Sequence, residues 1–256
     1  MKIDGARAMV VGGASGMARA TAEMLVREGA RVAILDRVEA AKGEEVAAAI
    51  GGGTRFYRCD VTDFAAAEAA IKRAADDLGA LHFGVNTAGG GIAKRTLTKG
   101  GPHPLDEFRA VIDLNLVASF NVARLQAERM ARNSADESGE RGVILMTASI
   151  AAFEGQIGQV AYSAAKAGIA GMTLTMARDL GSLGIRVVTI APSLFHTGLT
   201  QGIPKAMEEG LVKDAAFPKR MGRPEEYAHM ARAIFENPMM NGSVVRLDAG
   251  QRFAPK

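Results

Sequence analysis

The sequence predicts an α/β fold organised as a single domain over residues 1–256. Short hydrophobic runs of strand length alternate with longer helical patterns along the whole chain. The first run breaks into a glycine turn that opens directly into a helix. At 48% hydrophobic and 23% charged, 256 residues suffice for one sizeable core, and no apolar run approaches the ~20 residues of a membrane span.

Arg7 to Val11 (RAMVV) reads as the first buried strand, and GGASGMARA turns from it into a helix with Ala20, Met24, Leu25 and Ala30 near one face. In that setting Gly12 allows a sharp turn and Gly16 a close approach of backbone to a ligand. The helix start presents free N–H groups and a positive dipole to a pyrophosphate. Ser15 adds a hydroxyl for a phosphate or ribose oxygen. The spacing is Gly12-x3-Gly16-x-Ala18.

Arg31 to Asp36 is the second strand. A carboxylate at its end suits two ribose hydroxyls and repels a 2′-phosphate, or serves as a helix N-cap. Arg37 could pair with such a phosphate, but the glycine turn carries no basic residue, so NAD is favoured over NADP. A helix over Val38–Ile50 stops at Gly51–Gly53, and Thr54–Cys59 is the third strand. Asp60 and Val61 follow; Asp60 suits an adenine amino group or a helix cap. After a helix over Asp63–Leu78 and a strand over Leu81–Val85 come Asn86, Thr87, Ala88 and Gly89. Small residues and an Asn at a strand end let a flat cofactor pass close by, and the Asn can tie neighbouring strands.

Gly90 to Pro104 is a turn-rich insertion with Lys94, Arg95 and Lys99, at the end of the sheet where ligands bind. It can shape a substrate mouth, with its charges in solvent. Leu105 to Met130 reads as one long helix, with Asn115 among apolar residues. A buried Asn needs partners, here a backbone carbonyl or a water that passes protons towards Lys166.

GVILMTA is a fifth strand, ending at Ser149. A helix over Gln156–Ser182 then carries Tyr162 and Lys166 four residues apart, on one face. A free phenol has a pKa of about 10, and a cation held roughly 4–6 Å away lowers it. Lys166 thus brings Tyr162 into range for moving an alcohol proton, while Ser149 steadies the same substrate oxygen. The small residues Ala161, Ser163, Ala164, Ala165, Ala167 and Gly168 suit packing on the sheet or self-association. Ile185–Ile190 is the sixth strand. Residues 193–223, with Phe195 and Thr197, read as a lid over the reacting groups. Pro224–Glu236 is a helix and Ser243–Leu247 the last strand.

One Cys excludes an internal disulfide and fits a reducing, cytoplasmic location. The four His show no metal-ligand spacing. The N-terminus shows no cleavable leader, since a strand begins by Arg7. A net charge of +3 without a Lys/Arg block points to no nucleic-acid groove.

These motifs together, from Arg7 to Gly250, resemble the short-chain dehydrogenase/reductase family. The resemblance implies a doubly wound, Rossmann-type sheet of seven mainly parallel strands with helices on both faces, and a homotetramer. It implies catalytic roles for Asn115, Ser149, Tyr162 and Lys166, with Ser149 and Tyr162 also binding substrate. Cofactor contacts carry over to Ser15, Met17, Asp36, Asp60, Val61, Thr87, Tyr162, Lys166, Phe195 and Thr197. The stretches TASIAAFEGQIGQVAYSAAKAGIAGMTL and IRVVTIAPSLFHT are similar to the 3-hydroxyacyl-CoA dehydrogenase branch, which implies an acyl-CoA substrate. Alternatives are reduction of a 3-oxoacyl group on an acyl carrier protein, oxidation of a hydroxysteroid, or an NAD-binding scaffold without turnover. Val11, Ala18 and Ser193 depart from the family pattern, and none of them is a catalytic group.

Overall fold

The computed structural model of the protein describes residues 1–197 and 204–255. Seven strands form one wholly parallel sheet: β1 (Arg7–Val11), β2 (Arg31–Asp36), β3 (Arg55–Arg58), β4 (Phe83–Asn86), β7 (Gly142–Thr147), β8 (Ile185–Pro192) and β9 (Val244–Leu247). Between β4 and β7 lies a two-stranded antiparallel ribbon, β5 (Leu97–Thr98) with β6 (Gly101–Pro102). The large sheet runs β3-β2-β1-β4-β7-β8-β9. Winding reverses between β1 and β4, which opens a crevice at the carboxyl ends of those strands.

Helices cover both faces, so the central strands are continuously apolar rather than alternating. Successive side chains still part to opposite faces. Met9 and Val11 join a core with Ile71, Ala123, Ile144 and Ile169, under α3 (Phe64–Leu78), α5 (Ala118–Met130) and α6 (Val160–Gly181). Ala8 and Val10 join the other core with Leu25, Leu145, Tyr227 and Phe235, under α1 (Gly16–Arg27) and α8 (Pro224–Glu236). The remaining helices are α2 (Ala40–Ile50), α4 (Leu105–Ile112) and α7 (Lys205–Val212).

The sequence reading of one helix over Leu105–Met130 is corrected: α4 and α5 are joined by a π-helical turn at Asp113–Val117. Such a turn inserts a residue into the helical ladder, which hydrophobic periodicity does not register. The helix that carries Tyr162 and Lys166 starts at Val160, not Gln156, because Gln156–Gln159 close a separate turn with Gln159 N donating to Gln156 O at 3.0 Å; residues 150–152 form a 3-10 turn capped by Ser149. In the insertion, Lys94 stays partly in solvent and also pairs with Glu107 at 2.6 Å. Residues 198–203 of the expected 193–223 lid lie outside the described residues, whereas 204–223 contains α7.

Candidate active site

The glycine turn is shaped by sterics. Gly12 has φ +83°, and a Cβ there would stand 2.7 Å from Thr87 Oγ1 and 3.1 Å from Ala88 N. Gly16 has φ +55° and faces Thr197, whose Cβ would lie 3.1 Å from an added methyl. The turn is therefore flanked by Thr87 and Ala88 on one side and Thr197 on the other. Ser15 is the exposed N-cap of α1, and its side chain makes no capping bond. Half-buried Met17 follows in the first turn. Asp36 closes the far side: its Oδ2 accepts from Ala14 N at 3.1 Å and its Oδ1 from Val38 N at 3.3 Å. A two-oxygen acceptor thus lies beside a helix N-terminus with an uncommitted hydroxyl. These residues fit a dinucleotide, with the pyrophosphate at the helix start and a ribose at the carboxylate.

Asp60 is exposed and accepts from Thr62 N at 2.9 Å and Thr62 Oγ1 at 2.7 Å, bonds that hold its carboxyl below the usual range. Beside it Val61 is buried. The capping role falls to Asp63 instead, which accepts from Ala66 N at the start of α3. Asn86, expected from sequence to tie neighbouring strands, ties a strand to a helix instead. Its amide exchanges reciprocal bonds of 2.9 and 3.0 Å with Gln126 of α5. Thr87 is fixed by Oγ1 donating to Val11 O at 3.0 Å. Phe195 is buried and pairs with Gly222 in an isolated bridge, where its ring fills the space a side chain at 222 would need.

Ser149, Tyr162, Lys166 and Asn115 meet at the carboxyl end of β7. Ser149 stands near enough to Tyr162 to lower its phenol, and its Oγ accepts from Ala151 N at 3.1 Å. Lys166 is 3% exposed, with Nζ donating to Thr147 O at 3.0 Å and lying 5.6 Å from the centre of the Tyr162 ring. Asn115, in the π turn, donates to Gly90 O at 2.6 Å and to Val111 O at 2.9 Å, and accepts from Gly90 N at 3.1 Å. A Cβ on Gly89 would stand 2.6 Å from Asn115 Oδ1 and 3.2 Å from Lys166 Nζ, so both side chains converge on that glycine.

The electrostatics differ from the sequence expectation in one respect. Burial pushes the Tyr162 phenol up, against the lowering effect of Ser149. Burial also lowers the Lys166 ammonium to about 8. Sequence spacing shows which charges are neighbours but not how much water they lose.

Several residues of the site escaped the sequence reading. Thr147 holds Lys166 through its carbonyl and bonds buried Tyr227 through its hydroxyl at 2.7 Å. Gln126 anchors Asn86. Gly91 lies where an added methyl would be 3.0 Å from Tyr162 Cδ2. The glycine run after Ala88 was a visible signal for close packing. Tyr227 and Gln126 sit in ordinary helical patterns and gave none. Among the described residues there is no cluster of potential metal ligands and no helix long and apolar enough to cross a membrane.

Comparison with known proteins agrees with this geometry. The short chain dehydrogenase family profile matches residues 6–208. A 3-hydroxyacyl-CoA dehydrogenase type-2 of Drosophila melanogaster is 47% identical over 255 residues, covering 99% of this chain and 100% of the relative. The crystal structure of a 3-hydroxyacyl-CoA dehydrogenase type-2 from Mycobacterium avium superposes with a TM-score of 0.93 at 42% identity, covering 100% of both chains. A 7α-hydroxysteroid dehydrogenase complexed with NADH and 7-oxo glycochenodeoxycholic acid superposes with a TM-score of 0.87 at 28% identity, covering 98% of this chain and 95% of that one. With a glycine-turn cradle, a converging Ser-Tyr-Lys set and relatives that match over almost the full length, the chain belongs to the short-chain dehydrogenase family of oxidoreductases.

Proposed function

We propose that the protein interconverts a secondary alcohol and a ketone with NAD, and that its substrates are 3-hydroxyacyl-CoA and 3-oxoacyl-CoA thioesters. The observation that carries the reaction class is the convergence of Ser149, Tyr162 and Lys166 beside the glycine turn. A nicotinamide held beside Thr87, Ala88 and Thr197 would supply or accept the hydride. Tyr162 takes the hydroxyl proton in oxidation and returns it in reduction, and Ser149 donates a hydrogen bond to the substrate oxygen. With Lys166 lowered only to about 8, the ammonium is still charged at neutral pH. A positive charge on the same side of the helix favours the phenolate, which opposes the effect of burial. Asn115 holds the Gly90 backbone and the Lys166 neighbourhood in place.

Asp36 supports NAD: its two oxygens suit ribose hydroxyls and repel a 2′-phosphate. The acyl-CoA reading rests on the named relatives and gains support from an open cleft of about 520 Å³ between the insertion and the loop into α6. Its walls include Lys94, Arg95, Leu97, Gln156, Gln159 and Ser163. Amides, a hydroxyl and a guanidinium around a partly apolar wall suit an amide-bearing, phosphate-terminated arm. A homotetramer fits the outward Ala164, Ala167, Gly171 and Leu174 of α6 with exposed Phe120 of α5, and light scattering tests it. A cytoplasmic location fits the reduced, buried Cys59.

The deciding experiment follows absorbance at the NADH band with acetoacetyl-CoA and longer 3-oxoacyl-CoA substrates. Consumption of NADH, and little of NADPH, is the expected result. A preference for NADPH would favour the acyl carrier protein reading, and turnover of only steroid ketones would replace the acyl-CoA one.

A further inference from the structure

The carboxyl-terminal residues after β9 cross the molecule between two segments that flank the candidate site. On one side, Gln251 is 2% exposed and donates from Nε2 to Leu211 O of α7 at 2.8 Å. Next to it, Ala249 O accepts from Ala216 N at 3.0 Å and Phe217 N at 3.2 Å. The α7 segment in turn reaches the site, because Glu208 pairs with His196 at 3.2 Å, one residue before Thr197 at the glycine turn. On the other side, Ile157 N donates to Pro255 O at 3.0 Å, and Gln156 Nε2 donates to Ala254 O at 3.2 Å. Gln156 and Ile157 line the open cleft between the insertion and the loop into α6, which is the proposed place of the acyl-CoA arm.

Charges lock the same path. Arg246 of β9 forms a two-point pair with Glu154 at 2.8 and 2.9 Å and donates to Asp248 at 2.7 Å. Arg252 reaches both carboxylates, at 3.0 Å to Asp248 and 3.4 Å to Glu154. The Arg246 guanidinium also lies 5.1 Å over the Phe153 ring. A bidentate pair fixes orientation as well as distance.

We infer that residues 248–255 are a clasp that sets the spacing between α7 and the Gln156–Ile157 wall, and that Gln251 and Glu154 are its positioning residues. The bonds of residues 248–255 go to α7, Ala216, Phe217, Glu154, Gln156 and Ile157, so the clasp acts on the substrate side of the site before the cofactor side. This inference rests on the proposed reaction only for its substrate. The buried Gln251 amide has no water to replace its bond to Leu211 O, so removing the donor frees α7.

The test uses the full chain with Gln251→Met, which keeps side-chain bulk and removes the donor, and with Glu154→Gln. Expected results are a rise in KM for acetoacetyl-CoA of about fivefold or more, kcat within about twofold, and an unchanged Kd for NADH by fluorescence titration. Hydrogen exchange of the α7 amides is expected to quicken in both variants, including Glu154→Gln, whose substitution lies on the far side of the clasp. Unchanged exchange in α7, or a fall in NADH affinity equal to the loss in kcat/KM, overturns the inference. The exchange and NADH measurements need no turnover. If the wild-type chain leaves acetoacetyl-CoA untouched, the substrate reading fails on its own while these two readouts still decide the clasp.

Discussion

In the proposed reaction a phenol and an ammonium move and steady the proton, and each is set by how much water it has lost. Tyr162 is raised by burial, so its proton leaves readily only beside a charged Lys166. Tyr162→Phe removes the acid/base and is expected to lower kcat by about 10²–10⁴-fold. NADH affinity measured by fluorescence should stay within a few-fold; loss of NADH binding in step with kcat would assign Tyr162 to cofactor binding alone. Lys166 gives a second, pH-dependent signature. Its folded pKa of about 8 lies below the ordinary value of 10.5, so the folded state disfavours the charged form. Between those values the unfolded chain holds the proton more tightly, and stability rises with pH across that window. Below about pH 8 the full burial penalty is present; above 10.5 it is gone. Chemical denaturation of wild type against Lys166→Met should show this slope only in wild type. Parallel curves would mean that Lys166 titrates in the native state as it does in water.

At the level of elements, the π turn between α4 and α5 and the glycine run after β4 act together. The turn carries Asn115 to the Gly90 backbone, while Gly89 keeps the space between Asn115 and Lys166 clear. Ser119 Oγ donates to Asn115 O at 2.5 Å, tying down a carbonyl in the altered ladder. Gly89→Ala would put a methyl 2.6 Å from Asn115 Oδ1 and 3.2 Å from Lys166 Nζ, so both side chains must shift to admit it. The expected effect is a loss of about 10–100-fold in kcat/KM with the fold intact by circular dichroism. Full activity would show that this glycine has slack. Asn115→Ala strips both bonds from Gly90 and should cost about 1–3 kcal/mol in denaturant unfolding, since the Gly90 groups are left short of partners.

Across the whole molecule, the sheet is what makes a site from distant residues. His82 shows how its strands are stitched. Its Nδ1 accepts from Arg7 N at 3.0 Å, its own N–H donates to Arg7 O at 2.8 Å, and its carbonyl accepts from Val143 N at 2.8 Å, joining β1, β4 and β7 at their entry ends. Burial, followed by the Arg7 charge, lowers its pKa from 6.5. The unfolded chain therefore takes the proton first, and stability falls as pH drops below about 6.5. Thermal unfolding from pH 8 to 5 should show the fall in wild type and a shallower one in His82→Gln. An identical fall in both would place the acid sensitivity elsewhere. The sequence by itself determined the seven strands, the glycine turn, the Asp36 carboxylate and the Ser-Tyr-Lys set, because each depends on local periodicity, turn chemistry or a four-residue helical spacing. Only the tertiary structure decided the π turn, the Thr147–Tyr227 and Asn86–Gln126 pairs, the raised phenol and the tail's reach from Leu211 to Ile157. Those depend on which surfaces meet and how much water they exclude, and residues up to 98 positions apart, such as Gln156 and Ala254, leave no local pattern of that meeting.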